Sequence, residues 1–475
     1  MTKEVNWHLS SEAVAHAPRV MLLLLLSTVV HAQTDDDYPN VQDFQVVAPD
    51  YAIRSRDTML DVYLRAKSFD AEYMRARQQH AADSESYKQA RGRLLPELSI
   101  YAEERRTDQD IVASDIEVIG EGQTEFDTTV YGANLSMPIF DWERFMRLNQ
   151  SKRERMLADA RLLQAEQALL LRVAERYLSV LAAQDNLEYT RREEAAVQEQ
   201  VTTAQTRFEA DVGREVDFLE AKARAASVYA DKVSAQNILE DAIEGIREIS
   251  GAGSENYARL SESIEIGGVE PNVLDPWIQS AMEGSLAVQI QREALWVASY
   301  EIKRQRSNRY PTFSLYARAD KNDQGGSLFG GASDVETLEY GVRFNMNLFE
   351  GGATSSRVRE AAYRYNSELE TLQENMRQTT RETRSAFNDL KTSISRIESL
   401  ETSAEAQETV VESKRKGYPS LFTIRDVLDS ERDLYSIKRD LAKARYDYLL
   451  ADFRLKAAVG SLSEQDLERI NALFE

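Results

Sequence analysis

Two aspartates near the C-terminus, Asp426 and Asp429, are the side chains whose type and spacing best suit ion chemistry. Residues three positions apart on an α-helix share one face, so the two carboxylates would project side by side. Paired carboxylates attract cations and raise each other's pKa where water is excluded. The alternative is a solvated acidic face whose charge is balanced by Arg425 and Arg432. The residues alone leave both interpretations open.

Residue types that enzymes rely on are scarce. The chain has no cysteine and 4 histidines, of which only His80 lies beyond the first few tens of residues. We find no nucleotide-binding motif, no nucleophile–base pair and no cluster of metal ligands, so the sequence predicts no catalytic, cofactor or metal site. A net charge of -22 argues against nucleic acid as a partner. The sequence therefore predicts a protein that is not an enzyme.

The N-terminus has the composition of an export signal. Lys3 and Arg19 precede an apolar run from Val20 to Val30, and Ala32 ends a short-residue cleavage pattern. The run is shorter than the roughly 20 residues that a membrane-spanning helix needs, which disfavours a signal anchor. The sequence predicts a signal peptide over residues 1–32. The absence of cysteine also excludes a lipid-accepting residue after it.

The rest of the chain contains an internal sequence repeat. Leu95–Ala102 (LPELSIYA) matches Tyr310–Ala317 (YPTFSLYA). Three further pairs are each 209 positions apart (349 − 140 for the first): Phe140 and Phe349, Asp217 and Asp426, and Gly251 and Gly460. A repeat of this kind indicates one structural unit used twice. We assign the repeats to residues 33–252 and 253–475.

Each repeat predicts two β-strands and then two long helices. Apolar and polar residues alternate from Tyr340 to Leu348, as in a membrane-barrel strand with one face towards lipid and the other towards water. The strands are expected to start after Pro96 and Pro311 and to end at Phe140 and Phe349. The loops between them are expected over Thr107–Glu125 and Asp320–Glu336.

A heptad pattern marks the second of the two long helices predicted in each repeat. Apolar and small residues recur at alternating steps of three and four from Phe218 to Ile249 and from Val427 to Ala458, the pattern of a coiled-coil seam. The preceding segments, from about Trp142 to Thr206 and from about Ala353 to Ser413, contain no proline and no glycine. Helices of that length reach roughly 90 to 100 Å.

Four strands per chain cannot close a barrel. Open strand edges in hydrocarbon leave backbone groups unpaired at several kcal/mol each, and bacterial membrane barrels have about eight strands or more. Several chains must therefore share one barrel. The physical argument permits a dimer with eight strands or a trimer with twelve.

The C-terminal segment resembles the TolC family of outer-membrane channels. The resemblance rests on Lys416-Gly417-Tyr418, Asp426-Val427-Leu428-Asp429, Ala442 to Leu449 (AKARYDYL) and Ala457 to Leu462 (AAVGSL), in that order. It implies a mainly α fold with internal duplication, in which three chains form a twelve-stranded β-barrel in the outer membrane and a long coiled-coil helical tunnel in the periplasm. It also implies that Ala252 to about Arg306 forms an equatorial belt with the C-terminal tail.

The resemblance also assigns roles to residues at the periplasmic mouth of the tunnel. Asp426 and Asp429 resemble the family's acidic constriction, which in a trimer becomes a ring of six carboxylates. Asp217 and Tyr418 resemble a latch that holds the closed state. The family's basic residue four before the first aspartate is here Phe422, and the turn after Tyr418 is one residue shorter, so Arg425 is a candidate substitute in the latch.

The implied function is a passive exit duct, gated at its periplasmic mouth, that docks a periplasmic adaptor and an inner-membrane transporter and contacts outer-membrane lipid. Type I protein secretion and small-molecule efflux are both compatible with the sequence. The missing lipidation cysteine and the Asp426–Leu462 segment favour protein export. The alternative function is a periplasmic coiled-coil scaffold without channel activity, which leaves the alternating strands unexplained.

Overall fold

A computed structural model of the chain describes residues 57–112, 122–254, 257–258, 267–326 and 331–471. The expected signal peptide, residues 1–32, lies outside these residues. None of the helices in the described part of the chain is long and apolar enough to cross a membrane.

Helices and strands follow the same order twice. The first set is α1 (Met59–Phe69), α2 (Ala71–Gly92), β1 (Glu97–Ile111), β2 (Gly122–Phe140), α3 (Trp142–Glu209) and α4 (Glu215–Ser250). The second set is α5 (Leu274–Gly284), α6 (Leu286–Ser307), β3 (Thr312–Gln324), β4 (Ser333–Asn345), α7 (Ala353–Gly417) and α8 (Ile424–Val459), and α9 (Glu464–Asn471) follows it. The expected internal duplication is confirmed.

The four strands form one antiparallel sheet in the order β1-β2-β3-β4. Because β2 pairs with β3, each repeat supplies half of a common sheet. Strand register places apolar side chains on one face; on β4 these are Leu338, Tyr340, Val342 and Phe344. The opposite face carries polar groups such as Arg343 and Glu339, so the expected alternation is confirmed.

The end of β4 and the lengths of both hairpin loops differ from the expectation. β4 ends at Asn345 rather than at Phe349, because Asn345 already pairs with Thr312, the first residue of β3. The hairpin loops are also shorter than expected: β1 and β2 remain paired as far as Ile111 and Gly122. Backbone pairing continues through this polar segment although apolar and polar residues no longer alternate along it.

The long helices match the expectation closely. α3 has 68 residues and α7 has 65, which corresponds to about 100 Å each. Every heptad position of α4 and α8, from Phe218 to Ile249 and from Val427 to Ala458, is buried or half-buried, so the seams face neighbouring helices. Gly251 and Gly460 end these helices in the left-handed conformation, with φ of 74° and 77°.

Candidate gate at the ends of the helical hairpins

The tips of the two helical hairpins hold the residues that the sequence singled out. α3 turns into α4 through residues 210–214, and α7 turns into α8 through residues 418–423. An apolar cluster joins the hairpins just behind the tips, and it includes Val201 of α3, Ala221 of α4 and Ile424 of α8. Tyr418 packs against the edge of this cluster.

Asp426 helps to begin α8. The side chain of Thr423 accepts a hydrogen bond from the Asp426 backbone N–H at 3.2 Å. In return, Asp426 Oδ2 accepts hydrogen bonds from the Thr423 backbone N–H at 2.8 Å and from its hydroxyl at 2.6 Å. This capping box satisfies donors that a helix start leaves unpaired. These two hydrogen bonds from Thr423 hold the pKa of the Asp426 carboxyl below its usual value.

Asp429 lies one turn further along α8, between two arginines. Its Oδ1 is 3.4 Å from an Nη of Arg432, and its Oδ2 is 3.8 Å from Nε of Arg425. About half of the Asp429 side chain is exposed, at 49%. Surface pairs of this kind are worth at most about 1 kcal/mol. The second carboxylate is therefore available to solvent and partly offset by neighbouring positive charge.

The two candidate latch residues, Asp217 and Tyr418, lie close together. Burial is the main cause that raises the pKa of the Tyr418 phenol, and the Asp217 carboxylate raises it further against Arg207 and Arg214. The guanidinium of Arg207 lies over the Tyr418 ring, 5.6 Å from its centroid. The structure thus brings α3, the start of α4 and the end of α7 together around this ring.

Arg425 does not complete this group. Its side chain is 75% exposed and pairs with Asp429 on its own helix. The guanidinium that binds Asp217 is that of Arg214, with an Nη 2.6 Å from Oδ1 and Nε 3.3 Å from Oδ2. Arg214 is three residues before Asp217, so helical spacing alone could have suggested it.

Phe422 fills its position with an aromatic contact. A Cβ placed on Gly417 would lie 2.7 Å from Cδ2 of the Phe422 ring, so the ring covers a position that only glycine leaves open. The shortened turn after Tyr418 is closed by a hydrogen bond from the Leu421 N–H to the Gly417 carbonyl at 2.8 Å. Ring packing occupies the site where the family resemblance placed a basic side chain.

Sequence inspection missed two buried carboxylates behind the tips. Glu193 of α3 has a side chain only 3% exposed, and it binds Arg224 of α4 at 2.5 Å and Arg439 of α8 at 2.8 Å. Glu431 of α8 is fully buried, and its Oε1 is 2.6 Å from Nε of Arg415 in α7. Glu431 follows the buried Ile424 by one heptad, which was the available signal.

Among the described residues, no group of three or more His, Cys, Asp or Glu side chains is placed to hold a metal ion. The arrangement at the tips is one of charge pairs, caps and an aromatic contact between helices. Such contacts can hold two hairpins together, and the solvent-accessible carboxylates can attract cations.

Comparisons with known proteins give the family. The outer membrane efflux protein model matches residues 65–252 and 277–461. The alkaline protease secretion protein AprF of Pseudomonas aeruginosa is 30% identical over 419 residues, which cover 88% of this chain and 87% of that protein. The outer membrane protein TolC of Vibrio cholerae is 29% identical over 424 residues, covering 88% and 93%.

A solved structure agrees at the level of the fold. The outer membrane protein VceC of Vibrio cholerae superposes with a TM-score of 0.71 at 17% identity, covering 85% of this chain and 96% of that chain. The family match extends over both repeats, and the order of strands and long helices is that of a known channel fold. The chain belongs to the outer membrane efflux protein family, the TolC type of channel.

Proposed function

We propose that three copies of this chain assemble into a gated channel-tunnel, with a shared twelve-stranded barrel in the outer membrane and a helical tunnel in the periplasm. The family is one of outer-membrane exit ducts, and its members are not enzymes. The single observation that carries the assembly is a four-stranded sheet with one apolar face, joined to helices about 100 Å long, whose outer strands have no second partner strand among the described residues.

The sheet supports membrane insertion of several copies. Its apolar face is open: Leu338, Tyr340 and Val342 are 72%, 76% and 62% exposed. From Leu338 to Phe344 this face extends about 20 Å along β4, somewhat less than the roughly 25 Å height of an apolar band in a membrane barrel. Within the described residues, β1 and β4 each pair on one side only. Pairing β4 of one copy with β1 of the next satisfies both edges.

The repeats, residues 33–252 and 253–475, then give the assembly pseudo-sixfold character. Each repeat contributes one strand hairpin to the barrel and one helical hairpin to the tunnel. The segment from Ala252 to about Arg306 and the C-terminal helix α9 form the belt around the middle. In support, Leu467 and Ile470 of α9 are buried in the central core with Tyr63 of α1.

At the periplasmic mouth, Asp426 and Asp429 form the acidic ring that favours cations, and Asp217, Tyr418 and Arg214 stabilise the closed arrangement. A periplasmic adaptor and an inner-membrane transporter supply the energy, since the family resemblance implies a passive duct. The similarity to AprF and to the proteases secretion protein PrtF of Dickeya chrysanthemi favours an exported protein as cargo.

The test is to purify the protein from detergent-extracted outer membranes, to measure the oligomer mass and to record single-channel currents in planar bilayers. We expect a trimer with a small, cation-selective conductance that divalent cations block. A periplasmic oligomer without conductance would instead identify the chain as an envelope scaffold and refute the proposal.

A further inference from the structure

Two buried carboxylates, Glu193 of α3 and Glu431 of α8, each bind a side chain across the contact between α3 and α8, yet their charges are compensated very differently. Each oxygen of Glu193 has its own guanidinium, from Arg224 and from Arg439. Glu431 has both of its hydrogen bonds on one oxygen: Arg415 Nε donates to Oε1 at 2.6 Å, and Gln200 Nε2 donates to it at 3.4 Å. The longer of these contacts is a weak hydrogen bond.

The second oxygen of Glu431 has no hydrogen-bond partner within the described part of the chain. The side chain is 0% exposed in a single chain, so a neighbouring copy cannot reach it directly. Its counter-charge, Arg415, is 39% exposed. A buried carboxylate with an unpaired oxygen and a partner that faces water is only partly compensated, and such a charge opposes the packing that buries it.

We propose that Glu431 is a positioning residue of the gate, whose ionised carboxylate opposes packing of the α7–α8 hairpin against α3 and so favours widening of the mouth. The inference rests on the proposed function, because it requires a mouth that opens by separation of these helices. It reverses the usual expectation for a buried ion pair, in which the charged pair holds the closed form.

The charges around Glu431 support this direction. α7 contributes the cation Arg415, α3 contributes the neutral Gln200 and the acidic Glu199, and α8 itself contributes Tyr435. Burial raises the pKa of the Glu431 carboxyl more than Arg415 lowers it, and the Glu199 charge raises it further. The packed form therefore holds a proton on Glu431 at a pH where an open, hydrated form would release it.

The sign of the pH dependence follows. A group whose pKa is raised in the packed form stabilises that form at low pH, and this contribution is lost as pH rises through the raised value. Acidification should close the mouth and alkalinisation should open it. The closed-to-open ratio can change by at most about tenfold per pH unit for each protomer.

The test uses the purified full-length oligomer in planar bilayers, with open probability recorded from pH 5 to pH 8. We expect the wild type to open more as pH rises. Glu431→Gln keeps the shape and removes the charge, so its open probability at pH 8 should be about three- to tenfold lower than that of the wild type, with a flatter pH profile. Glu431→Asp should restore the pH dependence.

The matched control is Glu412→Gln on α7, which removes an exposed pair with Lys416 and should follow the wild-type profile. Arg415→Gln leaves the Glu431 charge without a counter-ion and should shift the channel towards opening. An open probability of Glu431→Gln that equals or exceeds the wild type at pH 8, or that keeps the wild-type slope, would overturn the inference while leaving the channel intact. Loss of conductance in the wild type itself would refute the proposed function and this inference with it.

Discussion

Glu193 should stabilise the packing of the two helical hairpins, whereas the charge of Glu431 is proposed to oppose it. The variant Glu193→Gln measures the free energy that Glu193 contributes to this packing. The variant removes a carboxylate that is 3% exposed and leaves two guanidiniums, those of Arg224 and Arg439, without their partner. Breaking a fully buried ion pair costs about 3 to 5 kcal/mol. Because the two arginines are 23% and 25% exposed, water can reach them in part. We therefore expect about 2 to 3 kcal/mol.

Amide hydrogen exchange measures this loss of stability in the helices that carry the ion pair. A loss of 2 to 3 kcal/mol in local stability speeds amide exchange by about 30- to 150-fold in the segments of α3 and α8 that flank the pair. Exchange in the strands β1 to β4 should not change, and Glu412→Gln should leave all segments within about twofold of the wild type. Exchange that is unchanged near Glu193, or accelerated equally in the sheet, would refute the argument that this pair joins the hairpins.

The sheet and the acidic ring give two further predictions. Val342→Arg places a charge on the apolar face of the sheet at a cost of about 2 to 4 kcal/mol and should abolish assembly in the outer membrane. Thr337→Arg, on the polar face, should be tolerated. Equal recovery of heat-stable oligomer from both variants would contradict the assigned faces. The double variant Asp426→Asn, Asp429→Asn should raise the concentration of divalent cations needed to block the channel about tenfold or more. Asp429→Asn alone should raise it by a smaller factor without disturbing the start of α8. An unchanged blocking concentration would exclude the acidic ring.

Local signals predicted the large elements well. The α3 and α7 segments contain no glycine or proline between their ends, and this absence predicted two long uninterrupted helices. The period-2 pattern of β4 likewise predicted which residues face outward. The end of β4 was wrong because it is set by where its partner β3 begins, which is not a property of the β4 sequence.

The buried charges could not be chosen from the sequence. The chain has 80 acidic residues, and helical periodicity leaves many of them at the margins of a seam. Glu431 is distinguished by its neighbours Gln200, 231 positions away, and Arg415, 16 positions away on another helix. Long-range pairing between α3 and α8 decides which carboxylate is enclosed, whereas the local i,i+3 pairing of Arg214 with Asp217 could have been suggested from the sequence.

Six residues of α8 carry three carboxylates in three environments, and this arrangement separates two responses to acid. Hydrogen bonds from Thr423 lower the pKa of Asp426, whereas burial raises that of Glu431. As pH falls, Glu431 takes up its proton first, so the mouth should close while Asp426 still carries its charge. Divalent block should consequently persist at a pH where open probability has already declined. The opposite order in one acid titration would mean that Glu431 does not control the mouth.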